Sequence, residues 1–364
     1  MEFMVIAGEA SGDAHAAELI TALRRRHPDL RFFGCGGEAM AAAGCELLVH
    51  DRELAVMGLV EVVRHLPRLR RLLGVLRQAL VTRRPHAIIL VDFPDFNLRL
   101  AATAHAAGIP AVYFISPQVW AWRAGRVRQI QRHVRRMICI FPFEADFYAR
   151  YGVEVASVGH PLVERIAAYR GANPPAPAGS NRVAVLPGSR QRELDFHFPV
   201  LLDAMRRLHA RHGCSFVLPV APHLHAERIR ARVPSDLQPV LEVLPPGNMY
   251  PALAEARLAL VASGTATVET ALFGVPMVVF YRLSGLSYRL GRRLVRTPHV
   301  AMVNLIAGRE VVPELVQGAF TGAALAAQAE RLLDDGPERT AMLAGLAEVQ
   351  SRLGPPGAIE RAAA

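Results

Sequence analysis

Residues 258–281 read LALVASGTATVETALFGVPMVVFY, and this stretch narrows the possible folds more than any other. Five uninterrupted apolar residues, 258–262, describe a strand covered on both faces, the environment of a parallel sheet. A parallel neighbour lies beyond the reach of a tight turn, so the chain must cross over through a helix. Ser263 or Thr265 is placed to cap that helix, Gly274 to end it, and Val275–Tyr281 to form the next strand. A helix N-terminus at the carboxyl edge of a parallel sheet attracts anions, phosphate above all. Glu269, one turn in, would be free to accept hydrogen bonds from sugar hydroxyls beside that phosphate. A plain strand–helix junction with Glu269 in a capping box fits the same residues.

The rest of the chain repeats the rhythm. Strands are expected at 2–8, 31–35, 87–91, 111–115, 136–141 and 155–158. Helices are expected at 11–26, from GGEAMAAAG onward, and at 98–107 with Gly108 as the stop. Tyr169–Asn181, YRGANPPAPAGSN, breaks the alternation and reads as a linker. Beyond it come strands at 182–186, 215–220 and 240–244, with a helix over 194–211. The expected architecture is α/β, with two Rossmann-like doubly wound domains facing across a cleft. Their boundaries fall at 1–172 and 173–339, and a C-terminal helix within 340–364 returns to the first domain.

Several classes are excluded early. No apolar run reaches the roughly 20 residues of a spanning helix, and MEFMVIAGEASGD does not read as a signal peptide. Cys35, Cys45, Cys139 and Cys214 lack metal or disulfide spacing, as expected in a reducing cytoplasm. The net charge is +10, and all 42 basic residues are arginine. Such an excess calls for an anionic partner: nucleic acid, phosphorylated substrate or membrane surface. The absence of lysine removes phosphate-loop ATPases, pyridoxal enzymes and lysine bases.

Four turns at strand ends carry candidate chemistry. AGEASGD (7–13) offers Glu9, Ser11 and Asp13 but lacks a dinucleotide fingerprint. VDFPDFN (91–97) places Asp92 just beyond a buried strand, where partial desolvation would raise its pKa and suit it as a general base. Asp95 and Asn97 there serve equally as turn or cap residues. LPGSRQRE (186–193) brings Ser189 and Arg190 to a sheet edge, where a guanidinium can grip a diphosphate in bidentate fashion. ASGTATVE adds Ser263, Gly264, Thr265 and Glu269. Two further stretches look made for an interface. LAVMGLVEVV (54–63) carries Met57, Leu59, Val60, Val62 and Val63 at helical spacing, and SPQVWAWR (116–123) holds Trp120, Trp122 and Arg123.

Together AGEASGD, ELAVMGLVEVV, VDFPDFN, ISPQVWAWR, FPFEADFY, VGHPLVE, LPGSRQRE, ASGTATVET, PMVVFYR and VNLIAGREVVPELVQ resemble the lipid-A-disaccharide synthases of Gram-negative outer-membrane biogenesis. The resemblance runs in order from residue 7 to about 317. It implies a GT-B glycosyltransferase acting on UDP-2,3-diacylglucosamine and 2,3-diacylglucosamine 1-phosphate, with inversion, no cofactor and no metal. It implies Asp92 as base, Arg190 as the essential arginine, and Glu269 and Asn304 as substrate residues. Ser263, Gly264 and Thr265 would then hold the diphosphate and Glu269 the ribose or uridine. It further implies a monomer or homodimer on the cytoplasmic face of the inner membrane, meeting phospholipid through the apolar and Trp-Arg stretches. Phe93 and Gln118 read as side-chain variation that bears on the acyl pocket.

Rival readings remain. A UDP-sugar epimerase or a peptidoglycan glycosyltransferase would share the diphosphate turns without needing the Trp-Arg region. A nucleic-acid-binding protein would use the arginines, but no nucleic-acid module is recognisable.

Overall fold

The computed structural model describes residues 1–54, 59–121, 124–173, 181–222, 224–283, 285 and 297–364. The chain divides into unit 1, residues 1–161 with 355–364, and unit 2, residues 162–354.

Unit 1 alternates strands and helices: β1 (Glu2–Ala7), α1 (Ala10–Arg26), β2 (Arg31–Gly36), α2 (Glu38–Ala42), β3 (Cys45–His50), α3 (Leu59–Arg83), β4 (Ala87–Val91), α4 (Pro94–Ala106), β5 (Ala111–Phe114), α5 (Val127–His133), β6 (Arg136–Cys139), α6 (Pro142–Ala149) and β7 (Val155–Ser157). The strands form one parallel sheet in the order β3-β2-β1-β4-β5-β6-β7. Successive residues of β1 serve opposite layers. Met4 and Ile6 pack with Leu76, Leu100 and Ile130 from α3, α4 and α5. Val5 and Ala7 pack with Ala16, Leu19 and Ile20 of α1, and with Ile359 of the C-terminal segment. Both faces are covered, so the strands read as apolar runs without alternation.

Unit 2 repeats the plan after α7 (Pro161–Ala172), with β8 (Arg182–Leu186), α8 (Gln191–His212), β9 (Ser215–Pro219), α9 (Ala226–Arg230), β10 (Leu241–Leu244), α10 (Met249–Ala254), β11 (Leu258–Ala262), α11 (Thr265–Phe273), β12 (Met277–Tyr281) and β13 (Glu314–Val316). Its parallel sheet runs β10-β9-β8-β11-β12-β13.

In both sheets the winding direction reverses once: between β1 and β4, and between β8 and β11. At such a switch point the connecting helices diverge to opposite faces and leave a crevice beyond the carboxyl ends of the strands. The turns at 8–9 and 92–93 flank the first crevice, and those at 187–190 and 263–264 flank the second.

Three local expectations need correction. Helix α4 begins at Pro94, four residues early, because Phe93 adopts a left-handed N-cap and proline suits the first helical position. Tyr169–Ala172 belongs to α7 and not to the linker, whose residues 174–180 lie outside the described set. The edge strand β3 escapes a sequence reading because CELLVH is half-exposed and without clear periodicity. The four cysteines are free and buried.

Candidate active site

The register aligns Ala7 of β1 with Val91 of β4, so Glu9 and Asp92 stand side by side just past the ends of neighbouring strands. Glu9 is the exposed N-cap of α1, and Ser11 is exposed in its first turn. Asp92 is half-buried, and burial, followed by the charge of Glu9, pushes its carboxyl up to about 6 against the opposing Phe93 N–H. A group with that pKa is ionised at neutral pH yet basic enough to take a hydroxyl proton.

The turn that carries Asp92 is strained. Asp92 has φ 44° and Phe93 φ 47°, a left-handed pair costing about 1–2 kcal/mol for each residue. The Phe93 ring occupies the space above Gly8, where a Cβ would lie only 2.5 Å from ring carbons. Gly8 is therefore required by close approach of the aromatic ring.

The other acids near this crevice have different tasks. Asp13 is buried, and its carboxylate accepts the N–H groups of Gly37 (2.6 Å), Ala39 (3.0 Å) and Met40 (3.1 Å), fastening α1 to the start of α2. Asp95 pairs with the Arg126 guanidinium. Asp92 is thus the carboxylate of the three without a structural cation or a triple amide clamp.

In unit 2 the expected cap is corrected: Gly264, and neither Ser263 nor Thr265, is the N-cap of α11. Its φ of 152° suits glycine alone, and a Cβ there would meet no atom within 4 Å. The Ser263 hydroxyl donates to the Val300 carbonyl at 2.6 Å, so its hydrogen is occupied inside the protein. Thr265 is exposed at the first helical position, where the helix dipole presents positive potential.

Glu269 forms no capping box. Its carboxylate accepts the Tyr250 hydroxyl at 3.2 Å, and Tyr250 sits edge-on to Tyr169 at 5.4 Å and tilted against Phe273. Burial pushes Glu269 up to about 7, opposed by the Tyr250 hydroxyl and the positive charge of Arg165. A half-buried carboxylate beside tyrosine rings suits a nucleoside with vicinal hydroxyls.

Glu193 tethers the Arg190 turn, accepting the Ser189 and Arg190 amides at 3.2 and 3.3 Å. The Arg190 guanidinium lies 3.6 Å from Glu193 and remains about half exposed, and the Ser189 side chain is also exposed. His197, missed in the sequence, is fully buried beneath this turn. Its Nδ1 lies 2.7 Å from the Pro187 carbonyl, and its Nε2 accepts the Arg282 N–H at 3.1 Å. A carbonyl only accepts and an amide only donates, so the ring is neutral with its hydrogen on Nδ1. Burial accordingly lowers its pKa.

Asn304, expected as a substrate residue, has its partners inside the protein. It is fully buried, and its amide is saturated. Nδ2 donates to Val312 O (2.9 Å) and Glu314 Oε1 (2.7 Å), while Oδ1 accepts from Val311 N (2.7 Å) and Val312 N (3.0 Å). Glu314 in turn accepts the Val300 and Ala301 amides, so Asn304 holds the segment that Ser263 touches. Asn304→Ala strands several buried polar groups and should cost about 3 kcal/mol, at roughly 1–3 per orphaned group. Urea unfolding of unit 2 checks this; an unchanged midpoint would deny Asn304 that role.

Trp120, expected at a membrane boundary, has partners inside the protein. It packs edge-on against Phe143 at 4.8 Å and donates its indole N–H to buried Glu144 at 3.3 Å. Glu144 also accepts the Ile140 and Phe141 amides, and burial pushes it up to about 7. Met57, Trp122 and Arg123 lie outside the described residues. Leu59, Val60, Val62 and Val63 belong to α3, with side chains outside the described set.

Comparisons with known proteins give the family and the fold. The family model described as lipid-A-disaccharide synthetase matches residues 3–351. A lipid-A-disaccharide synthase of Myxococcus xanthus is 46% identical over 370 residues, covering 99% of this chain and 95% of its own length. Among solved structures, UDP-GlcNAc 2-epimerase from Neisseria meningitidis superposes with a TM-score of 0.66 at 13% identity, covering 99% and 97%. MurG of Acinetobacter baumannii superposes with a TM-score of 0.61 at 14% identity, covering 100% and 97%. At such identities the likeness is one of fold, and the fold is GT-B.

Proposed function

The chain belongs to the lipid-A-disaccharide synthetase family, and from that premise we propose that it joins UDP-2,3-diacylglucosamine to 2,3-diacylglucosamine 1-phosphate. The family makes it a glycosyltransferase of lipid A biosynthesis. The products of the proposed reaction are the β-1,6-linked disaccharide 1-phosphate and UDP. The observation that carries this reading is Asp92, a half-buried carboxylate raised to about 6 on a strained turn at the first switch point. The 6-hydroxyl oxygen attacks the donor anomeric carbon while its proton passes to an Asp92 oxygen. The bond from that carbon to the diphosphate breaks, and UDP departs with the electron pair. Attack opposite the leaving group turns an α-linked donor into a β-linked product.

Unit 2 supplies the donor subsite. Arg190 and the first turn of α11, with Thr265, receive the diphosphate, and Glu269 accepts the ribose hydroxyls. Ser189 borders the diphosphate, and Ser263 acts through the turn it anchors to Val300. In unit 1, Glu9 and Ser11 contact the acceptor sugar. Both substrates are acylated, so the enzyme works on the cytoplasmic face of the inner membrane as a monomer or homodimer. Among the described residues no helix is long and apolar enough to cross a membrane. The 54–63 stretch, together with Trp122 and Arg123, provides the contact with phospholipid.

The test is direct. With both substrates in detergent and EDTA present, purified protein should release UDP and form the disaccharide; failure to form disaccharide refutes the reading. The pH profile is a second check. The base acts when ionised, so kcat should climb as pH rises through about 6 and level off above it. Glu269 adds its own limb, with donor KM falling as pH rises through about 7. Full turnover persisting at pH 4.5 would remove Asp92 from the role.

A further inference from the structure

The peptide carbonyl of Asp92 lies just past the end of β4, where the ladder to β5 closes with Val91 opposite Phe114. Two side chains take over from the ladder. The Tyr113 hydroxyl, reaching from β5, donates to that carbonyl. Asn97, in the first turn of α4, donates through Nδ2 to the same oxygen at 2.8 Å and to Val91 O at 3.1 Å. Both residues are fully buried. The third attachment is the Phe93 ring seated over Gly8 at the end of β1. The turn is thus fixed from both neighbouring strands and from the helix that follows it.

A left-handed pair of non-glycine residues relaxes toward the extended region unless its surroundings over-determine it. We propose that Tyr113 and Asn97 are positioning residues, whose two hydrogen bonds to the Asp92 carbonyl hold the strained turn and so aim the carboxylate at the acceptor hydroxyl. This rests on the reading of Asp92 as the base. Neither side chain is placed to touch substrate. Tyr113→Phe keeps the ring and removes one donor, while Asn97 still satisfies the carbonyl, so the fold tolerates the change. A base misplaced by about 1 Å loses on the order of a hundredfold in rate, and a loosened turn loses part of that.

The experiment is a cycle on the purified enzyme with both diacylated substrates. Tyr113→Phe should lower kcat about tenfold and Asn97→Ala about thirtyfold, with both KM values and UDP affinity within about twofold of wild type. Added to Asp92→Asn, either change should alter the residual turnover by less than about twofold, because nothing is left to aim. Wild-type kcat in both variants beside a crippled Asp92→Asn overturns the positioning role and leaves the base reading intact. An undiminished loss on the Asp92→Asn background shows general structural damage and also overturns it. Wild-type turnover in Asp92→Asn sinks the base reading, and the positioning role with it. Should Tyr113→Phe fail to fold, Asn97→Ser runs the same cycle.

Discussion

Asp92→Asn should lower kcat about a thousandfold while UDP binds as it does to wild type. The substitution preserves size and removes the carboxylate proposed as base, so the acceptor hydroxyl must release its proton by a poorer route. A positioned base contributes about 10²–10⁴ in rate, and burial has moved this one to about 6, nearer the working pH than an ordinary aspartate. Asp92→Glu should recover little, since an added methylene displaces the carboxylate from a turn fixed at φ 44°. Control substitutions separate the neighbours. Asp13→Asn breaks a carboxylate that accepts three amides of the α2 entry, so its effect should appear in stability. Asp95→Asn loses an ion pair with Arg126 at an exposed position and should leave kcat within about twofold. Turnover above a tenth of wild type in Asp92→Asn would sink the assignment.

The sequence was legible where physics is local. Buried parallel strands announce themselves as apolar runs, and the turn after each run is where a doubly wound sheet places ligands. That logic led to Asp92, Arg190 and the 263–265 turn without any coordinate. It faltered where a side chain's partner is remote in sequence. Glu269 read equally well as a capping residue, because Tyr250, which donates to it, lies nineteen positions away. Asn304 entered through the resemblance alone, because its four bonds reach residues 311–314. Trp120 looked like a lipid anchor because its partner Glu144 lies in α6, 24 positions further on. The clue available for His197 was weak: a polar residue on the apolar face of α8, beside Leu194, Phe198 and Leu201. Asp92's environment was inferred in kind but not in degree, since the charge of Glu9 reaches it from the end of the neighbouring strand.

Arg190→Ala should lower kcat by a factor of about 10²–10³ and leave the pH profile in place. As the anomeric bond breaks, negative charge gathers on the departing diphosphate, and preorganised cations or dipoles there stabilise the transition state more than the bound donor. The chain has no lysine, so within unit 2 that charge must meet arginine or a helix terminus. Arg190 stands at the N-cap of α8, and its turn is held by Glu193 and pinned from below through Pro187 and His197. The turn is therefore rigid while the guanidinium stays about half exposed. Its nearest anion, Glu193 at 3.6 Å, is already occupied by two amides, so a diphosphate can draw the guanidinium away at small cost. Arg190→Lys has the charge but not the planar fork, and should stay at least about 10-fold below wild type. The reading requires that EDTA leave wild-type turnover unchanged and that Mg²⁺ fail to rescue Arg190→Ala. Turnover of Arg190→Ala within about threefold of wild type would shift the leaving-group role to the first turn of α11, where Thr265→Ala would then show the larger loss.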